Sequence, residues 1–528
     1  MKHSITIFFL VAFYFCSNAQ NDNSKIHTAY KFEQIINKIE QLYVDSVNTK
    51  KLTEIAIIAL LEELDPHTTY IPKEDASDAR SQIDGSFVGI GIRFNIVKDT
   101  ILVVGTISGG PSEKLGILPG DKIIIVDEEV VAGIGIKNNG VRGRLLGEKN
   151  SKVIVSIKRN GINDLIKFNI KRDKIPIFSV DAAYMIDKKT GYIKLNSFSR
   201  TTTKEIRSAI SKLKKKGMKK LVFDLQDNGG GLLSAAQEVA DEFLSEDKLI
   251  VYSEGRSQPR SNLRAGKKGQ WEKGELIILV NEYTASASEI VSGAVQDWDR
   301  GIIVGRRTFG KGLVQRPIRL LDGSEMRLTI ARYYTPTGRF IQKPYDDVKS
   351  YKNDITQRFL NGELMHADSI KLPDSLKFST KIKNRDVYSG GGIMPDYFVA
   401  IDTSDITDYF KDINRGGHLN GFTLNYVNNN REDLKKKYSK FKSFKKSSII
   451  DDDLIENFKA YVANEDSTIK FNAEQFQISE KLIKLRIKAN IALNLWGYAE
   501  FYEIFNDRNE ELQKALTLFN SKEDLFKN

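Results

Sequence analysis

Between residues 190 and 320 the chain alternates short apolar runs with amphipathic segments. Strand-like runs at 191–195, 221–225 and 276–280 each precede a helix-like segment, at about 203–216, 233–244 and 286–298. Parallel strands joined by helices need right-handed crossovers, which place the helices on the faces of one sheet. The alternation predicts an α/β domain and excludes an all-β or all-helical core for this part of the chain.

The sequence on either side of this segment has a different spacing of apolar residues and a different composition, which predicts a multidomain chain. Apolar residues recur at helical spacing over 25–64, and the Asp65-Pro66 pair ends that block because proline disfavours helix in the preceding residue. We expect an N-terminal signal peptide (1–19), a helical region (20–83), a β-rich domain (84–172), the α/β core (173–345, with a return segment at 389–402), a polar insertion (346–388) and a helical C-terminal region (403–528).

The first twenty residues have the layout of an export signal. Lys2 precedes an apolar run over 5–15, and small residues follow up to Ala19. This run is shorter than the ~20 residues that a bilayer-spanning helix needs. We expect cleavage after Ala19 and a soluble protein, exported to the periplasm or beyond. Lipidation of Cys16 is the alternative, which the bulky residues before it disfavour.

Composition narrows the classes of partner and cofactor. The 528 residues carry a net charge of +11 and one cysteine, Cys16, so a disulfide framework and Cys-rich metal sites are excluded. Lysines are interspersed with acids, and the densest run, 212–220, indicates a solvated helix end rather than a nucleic-acid site. Peripheral membrane association stays open. No metal-binding spacing occurs, and we expect no cofactor.

Two loops at predicted strand ends carry the residue types of an acyl-transfer site. The glycine loop (225–232) places Gly229, Gly230 and Gly231 before a helix, where backbone amides can approach an anion. The serine loop (281–286) ends with Ser286 at a helix start, the geometry that a nucleophile beside an oxyanion hole needs. Taken alone, each loop is fully explained by ordinary turn and capping roles, which are favoured over a catalytic role.

The lysine loop (306–312) follows Gly305 and nearly matches a nucleotide-binding P-loop. Gly312 lacks the hydroxyl that binds magnesium, and 313–320 indicates a strand where a P-loop opens a helix, so an NTPase is disfavoured. A lysine between glycines, Lys311, suits another role, because burial lowers a lysine's pKa and allows it to act as a neutral base. A Ser-His-acid triad is disfavoured too, because no G-x-S-x-G run occurs.

These residues together resemble the carboxy-terminal processing peptidases, or tail-specific proteases, from about residue 30 to 402. The most specific runs are T-A-S-A-S-E-I-V at 284–291 and T-F-G-K-G-L-V-Q at 308–315. The resemblance implies a crotonase-like α/β core and a Ser–Lys dyad, with Ser286 as nucleophile, Lys311 as base and Gln315 positioning the lysine. Ser288 is the competing nucleophile.

The glycine loop resembles the family's D-L-R-x-N-P-G-G-L-L run. The resemblance implies that the amides of Gly230 and Ala287 form the oxyanion hole. The chain departs from the pattern at two positions, since Gln226 stands in place of the arginine and Gly229 in place of the proline.

Residues 84–172 resemble a PDZ domain, which binds peptide C-termini at a strand edge. The resemblance assigns the carboxylate-binding loop to Phe87, Gly89, Ile90, Gly91 and Ile92. It implies an exported endopeptidase whose substrates are proteins with exposed, apolar C-termini. A catalytically inactive scaffold that binds tails is the alternative, and self-association stays open.

Overall fold

The computed structural model describes residues 27–266 and 268–521, together with residue 526. This part of the chain forms two compact units. The smaller unit comprises the described residues up to 73 with 315–329, and the larger comprises 74–314 and the described residues from 330 onward. The expected signal peptide, with Cys16, lies outside the described residues.

The smaller unit starts with helices, as the sequence predicts. Helix α1 spans 27–42, helix α2 spans Thr49–Glu62, and strand β1 spans Thr69–Ile71. A turn separates α2 from β1, and in it the Asp65 carboxylate accepts a hydrogen bond from the amide of His67 at 2.8 Å. The predicted end of the helical block at Asp65 is confirmed.

The β-rich domain follows helix α3 (Lys73–Asp84). Its elements are β2 (Ser86–Gly89), β3 (Ile92–Val97), β4 (Thr100–Thr106), α4 (Pro111–Leu115), β5 (Lys122–Val126), β6 (Glu129–Val130), α5 (Asn138–Leu145), β7 (Lys152–Lys158), β8 (Ile166–Lys171) and β9 (Asp173–Pro176). One antiparallel sheet has the order β3-β4-β5-β7-β8, with β6 beside β5, while β2 pairs with β9. Strand β3 is therefore an edge strand, paired only with β4 among the described strands.

The predicted alternation of strands and helices follows. The elements are β10 (Val180–Met185), β11 (Thr190–Leu195), α6 (Thr202–Lys215), β12 (Lys220–Asp224), α7 (Leu233–Asp241), β13 (Leu249–Gly255), β14 (Gln258–Arg264), β15 (Glu275–Val280), α8 (Ala287–Asp297) and β16 (Ile302–Gly305). Strands β11, β12, β15 and β16 are parallel neighbours, with β10 antiparallel at one edge. Apolar side chains of α6, α7 and α8 bury one face of this sheet.

The chain then leaves the sheet and returns to it. The elements are β17 (Leu313–Arg319), β18 (Glu325–Tyr334), α9 (Val348–Leu360), β19 (Lys377–Ser379), β20 (Asp386–Tyr388) and β21 (Tyr397–Phe398). Strand β21 pairs in parallel with β16, so the run at 397–401 returns to the core as expected.

The C-terminal region is helical, as its periodicity predicts. Its helices are α10 (Asp408–Arg415), α11 (His418–Lys437), α12 (Phe441–Lys445), α13 (Asp452–Glu465), α14 (Ala473–Leu495), α15 (Tyr498–Phe505) and α16 (Glu510–Phe519). Helices α10–α15 enclose a hydrophobic core of their own, whereas α16 packs Leu512, Ala515 and Phe519 onto the second face of the central sheet. Within 27–266 and 268–521, no helix has the length and apolar character to cross a membrane.

Candidate active site

The glycine loop and the serine loop meet at the carboxyl edge of the sheet. Strands β12 and β15 are parallel neighbours, in register at Asp224 and Leu279. Loops that leave the carboxyl ends of adjacent parallel strands lie side by side. The contact is direct, because the carbonyl oxygen of Asn228 accepts a hydrogen bond from the amide of Ala285 at 3.0 Å.

Ser286 occupies a sharp turn immediately before α8. Its φ of 56° and ψ of −115° lie outside the regions that L-residues favour. Such strained backbone persists only where the surroundings hold it, and it is common at functional sites. Ser286 is partly exposed, whereas the residues on either side of it are buried. The turn thus presents this one serine at the surface of the site.

Ser288, the competing nucleophile, is placed differently. It is fully buried, and its hydroxyl donates a hydrogen bond to the carbonyl oxygen of Asn228 at 3.0 Å. The hydroxyl therefore joins the serine loop to the glycine loop, which disfavours a role in attack on substrate.

Glu289 is fully buried, and its carboxylate gathers four donors. Oε2 accepts from the amides of Ser286 at 2.7 Å and Lys311 at 2.9 Å. Oε1 accepts from the hydroxyl of Thr308 at 2.5 Å and the amide of Gly310 at 2.7 Å. Burial raises the pKa of Glu289 above its usual value, and these hydrogen bonds oppose the rise. One carboxylate thereby ties the serine loop to the lysine loop.

Tyr333 holds the same two loops through their carbonyl groups. Its hydroxyl lies 3.2 Å from the carbonyl oxygen of Ser286 and donates to the carbonyl oxygen of Lys311. The side chain is buried, and burial raises its pKa well above the usual value, so the hydroxyl stays a donor. Glu289 and Tyr333 together fix the backbones of Ser286 and Lys311 relative to each other.

Gly230 lies against the turn that carries Ser286. A Cβ at Gly230 would stand 2.8 Å from Cβ of Ser286 and 2.9 Å from the amide nitrogen of Ala287, and the φ of Gly230 is 99°. Both the close approach and this φ require glycine. The Gly230 amide donates to the side-chain oxygen of Asn228 at 2.9 Å. The structure thus brings Gly230, Ala287 and Ser286 together.

Gln315 lies on β17, in the smaller unit. Its side-chain amide donates a hydrogen bond to the carbonyl oxygen of His67. The glutamine is therefore attached to the turn between α2 and β1. The sequence gives no sign of this contact, because its acceptor is a backbone oxygen far away along the chain.

The segment predicted as a polar insertion packs against the lysine loop. Arg358 on α9 is buried, and its guanidinium donates to the carbonyl oxygens of Thr308 at 2.9 Å and Phe309 at 3.3 Å. Just before the insertion, the ammonium of Lys343 lies 3.9 Å from the ring centre of Phe309. Arg358 thus supports the residues that precede Lys311, and sequence reasoning missed it because its acceptors in the lysine loop are main-chain atoms about fifty residues away.

The near P-loop does not have the geometry of a nucleotide site. The segment leads from β16 into β17, so the strand predicted after Gly312 is confirmed. The amides of Gly310 and Lys311 donate to Glu289, whereas the backbone amides of a P-loop face phosphates.

The predicted carboxylate-binding loop connects β2 to the edge strand β3. The carbonyl oxygen of Gly91 accepts from the amide of Ile107 at 2.9 Å, and Ile92 lies opposite Thr106. This register makes Ile92 a non-hydrogen-bonded position, whose N–H and C=O point away from β4 toward the open edge. A Cβ at Gly89 would lie 3.0 Å from Leu146, so the loop adjoins the end of α5.

Comparison with known proteins adds family relationships. The profile of peptidase family S41 matches residues 189–350, and that of a family of unknown function, DUF8443, matches 409–497. The carboxy-terminal processing protease CtpA of Bacillus subtilis is 36% identical over 317 residues, which span 59% of this chain and 67% of that protein. The carboxy-terminal-processing protease of Bartonella bacilliformis is 35% identical over 327 residues, 61% of this chain and 74% of that protein.

Among solved structures, the PDZ domain of a carboxy-terminal protease from Vibrio cholerae, in complex with peptide, is 30% identical. The match covers 17% of this chain and 97% of the chain in that structure, with a TM-score of 0.16.

The chain belongs to the carboxy-terminal processing serine proteases of peptidase family S41. The resemblance seen in the sequence is confirmed at this level.

Proposed function

We propose that this protein is an exported serine endopeptidase that captures the C-terminal tails of protein substrates and cleaves them with a Ser286–Lys311 dyad. The observation that carries the proposal is the shared Glu289 oxygen, which accepts from the amides of both residues. It fixes the two backbones beside each other on the carboxyl edge of the sheet.

In the proposed reaction, neutral Lys311 removes the proton from Oγ of Ser286 as that oxygen attacks the scissile carbonyl carbon. The proton then passes from Lys311 to the amine that leaves when the C–N bond breaks. Water attacks the acyl-enzyme, gives its proton to Lys311 and releases the new carboxyl terminus. Ser286 recovers its proton, so the cycle closes with no metal or cofactor.

Attack by Ser286 converts the scissile carbonyl oxygen into an oxyanion. We assign its stabilisation to the amides of Gly230 and Ala287, which adjoin Ser286. Because the Gly230 amide donates to Asn228, the oxyanion must share or replace that acceptor. Loss of one oxyanion-hole donor typically slows a reaction by about 10²–10³. The orientation of the glycine loop is therefore a rate-determining feature of the proposed enzyme.

Gln315 is assigned to positioning Lys311, which it follows by four residues in the family pattern. The support is chemical: a glutamine that donates through its amide, as Gln315 does to His67, presents Oε1 as an acceptor suited to an amine.

Tail capture is assigned to the loop formed by Phe87, Gly89, Ile90, Gly91 and Ile92, with β3 as the edge to which a peptide adds as a strand. The carbonyl oxygen of Ile90 accepts from the amide of Ser112 at 3.1 Å and that of Gly91 from Ile107. In a trans peptide the next N–H points the opposite way, so the amides of Gly91 and Ile92 face away from those partners. Amides so directed suit a terminal carboxylate.

Export rests on the sequence alone, since residues 1–19 lie outside the described part of the chain. Cleavage after Ala19 would leave no cysteine, which suits an oxidising compartment. Apolar tails of exported or misfolded proteins are the substrates that such an enzyme would meet.

The test is cleavage of an unstructured polypeptide with an apolar C-terminus by the purified protein and by Ser286→Ala. We expect cleavage only by the former and equal binding of a tail peptide by both. Amidation of the peptide's C-terminus should weaken binding. Equal cleavage by both proteins would refute the Ser286 assignment, and equal binding of the amidated peptide would refute carboxylate recognition.

A further inference from the structure

The start of α16 makes a hydrogen bond to the glycine loop. Nδ2 of Asn509 donates to Oε1 of Gln226 at 2.9 Å. Oδ1 of the same side chain accepts from the amide of Leu512 at 2.9 Å and so caps the helix. Asn509 therefore belongs at once to the C-terminal region and to the surroundings of the loop that carries Gly230.

The position of Asn509 is firmly set. Helix α16 packs its apolar face onto the sheet, and the carboxylate of Glu511 pairs with the guanidinium of Arg306. Arg306 also donates to Glu282, at the base of the serine loop, at 2.7 Å. All three charged side chains are buried. The helix start is thus attached to the strand ends from which the site is built.

Gln226 in turn depends on polar contacts for its orientation. Its main-chain amide donates to the Asp224 carboxylate at 2.8 Å, and its main-chain carbonyl oxygen accepts from the ammonium of Lys194, so these two bonds hold the backbone and not the side chain. Its side chain lines a cavity of about 440 Å³ that Asn509 lines as well, so packing leaves room for it to turn. The hydrogen bond to Asn509 is what directs this side chain.

A short path leads from Gln226 to the Gly230 amide. Asp227 comes next, with a φ of 59°, and Asn281 holds it by two hydrogen bonds, at 3.0 and 2.8 Å. Asn228 follows, and its side chain accepts from Gly230. A change at Gln226 therefore reaches the oxyanion-hole amide through two residues whose backbone has little freedom.

We infer that Asn509 is a positioning residue of the protease: through Gln226, which stands where the family carries an arginine, the C-terminal region sets the conformation of the glycine loop. The expected effect on the rate of cleavage rests on the proposed function. The hydrogen bond between Asn509 and Gln226 does not depend on it.

Asn509→Ser tests this, because serine keeps the N-cap but is too short to reach Gln226. The matched control is Asn472→Ser, since Asn472 caps α14 in the same way and is exposed. Gln226→Met removes the acceptor of the same hydrogen bond and keeps a side chain of similar volume. The four full-length variants, including the double variant, are compared by kcat and KM on the unstructured polypeptide and by hydrogen exchange of residues 225–232.

We expect Asn509→Ser and Gln226→Met each to lower kcat about 10-fold with KM within about twofold, since an oxyanion-hole amide acts mainly in the transition state. The double variant should be no slower than the slower single one. Exchange of the glycine loop should rise in these variants and not in Asn472→Ser.

Unchanged exchange in Asn509→Ser would overturn the inference, and so would effects on kcat that multiply in the double variant. Cleavage by Ser286→Ala at the normal rate would instead overturn the proposed function. In that case the exchange data would still decide whether Asn509 sets the loop.

Discussion

The carboxylate of Glu289 accepts a hydrogen bond from the amide of Ser286 at 2.7 Å, and this contact holds the serine in its strained turn. The same oxygen binds the Lys311 amide, so the geometry of the dyad depends on a side chain that touches neither reacting atom. Substitution of this buried carboxylate should be costly, because four donors would lose their acceptor.

Glu289→Gln should therefore disable the site. A glutamine offers one acceptor oxygen, and its NH₂ would face donors, which leaves buried groups unpaired at a cost of about 2–4 kcal/mol. We expect cleavage to fall at least about 100-fold, because the backbones of Ser286 and Lys311 separate. Chemical denaturation and kinetics measure the two effects, with exposed Glu238→Gln on α7 as the control. Near-normal kcat would show that the carboxylate is not needed.

Ser286 and Ser288 should respond differently to alanine. Ser286→Ala removes the attacking oxygen and should leave no measurable cleavage, with tail binding intact. Ser288→Ala loses one buried hydrogen bond to Asn228 and should cost about 1–2 kcal/mol of stability and only part of the activity. The reverse ranking in a cleavage assay would assign the nucleophile to Ser288.

Lys311→Arg should be inactive, because a guanidinium does not give up its proton in proteins. The change keeps the positive charge, so loss of activity would identify proton transfer, not charge, as the requirement. Exposed Lys204→Arg on α6 is the matched control and should cleave normally. Turnover by Lys311→Arg would exclude the lysine as base.

Asp181 on β10 should make stability depend on pH. Burial raises its pKa from 3.8 to about 6, Lys194 opposing the rise and Glu205 adding to it. The folded protein therefore binds this proton more tightly than the unfolded chain, and stability should fall as pH rises from about 4 to about 6. Asp181→Asn should be more stable than wild type by about 1–3 kcal/mol at pH 7 and equal to it below about pH 4.

Urea denaturation at several pH values measures this difference. Exposed Asp164→Asn is the control and should follow the wild-type curve. A constant difference between Asp181→Asn and wild type at all pH values would contradict the assignment.

Local sequence predicts most of the fold and the chemistry-bearing loops. The strands before Asp224 and Asn281, the helix after Ser286 and the strand after Lys311 all follow from apolar periodicity and glycine placement. Adjacent parallel strands then bring the glycine and serine loops together, because their carboxyl ends share one edge.

The residues that orient those loops escape such reasoning. Tyr333 lies in a strand whose aromatic residues suggest packing alone, and Arg358 lies in a polar helix with no pattern. Asn509 has the appearance of a simple helix cap. Each acts through a contact to main-chain atoms or to a residue remote in sequence, and hydrophobic pattern carries no information on such pairs.

The burial of the second sheet face by α16 also affects the order in which the core is completed during folding. Residues 510–519 are synthesised after every other described element, so Val222, Ile277 and Leu279 stay uncovered on this face until α16 has been made and has packed onto it. The same delay applies to Asn509. The helix that covers this face of the sheet also carries the N-cap that contacts Gln226, so burial of the sheet and the contact to the glycine loop are made together.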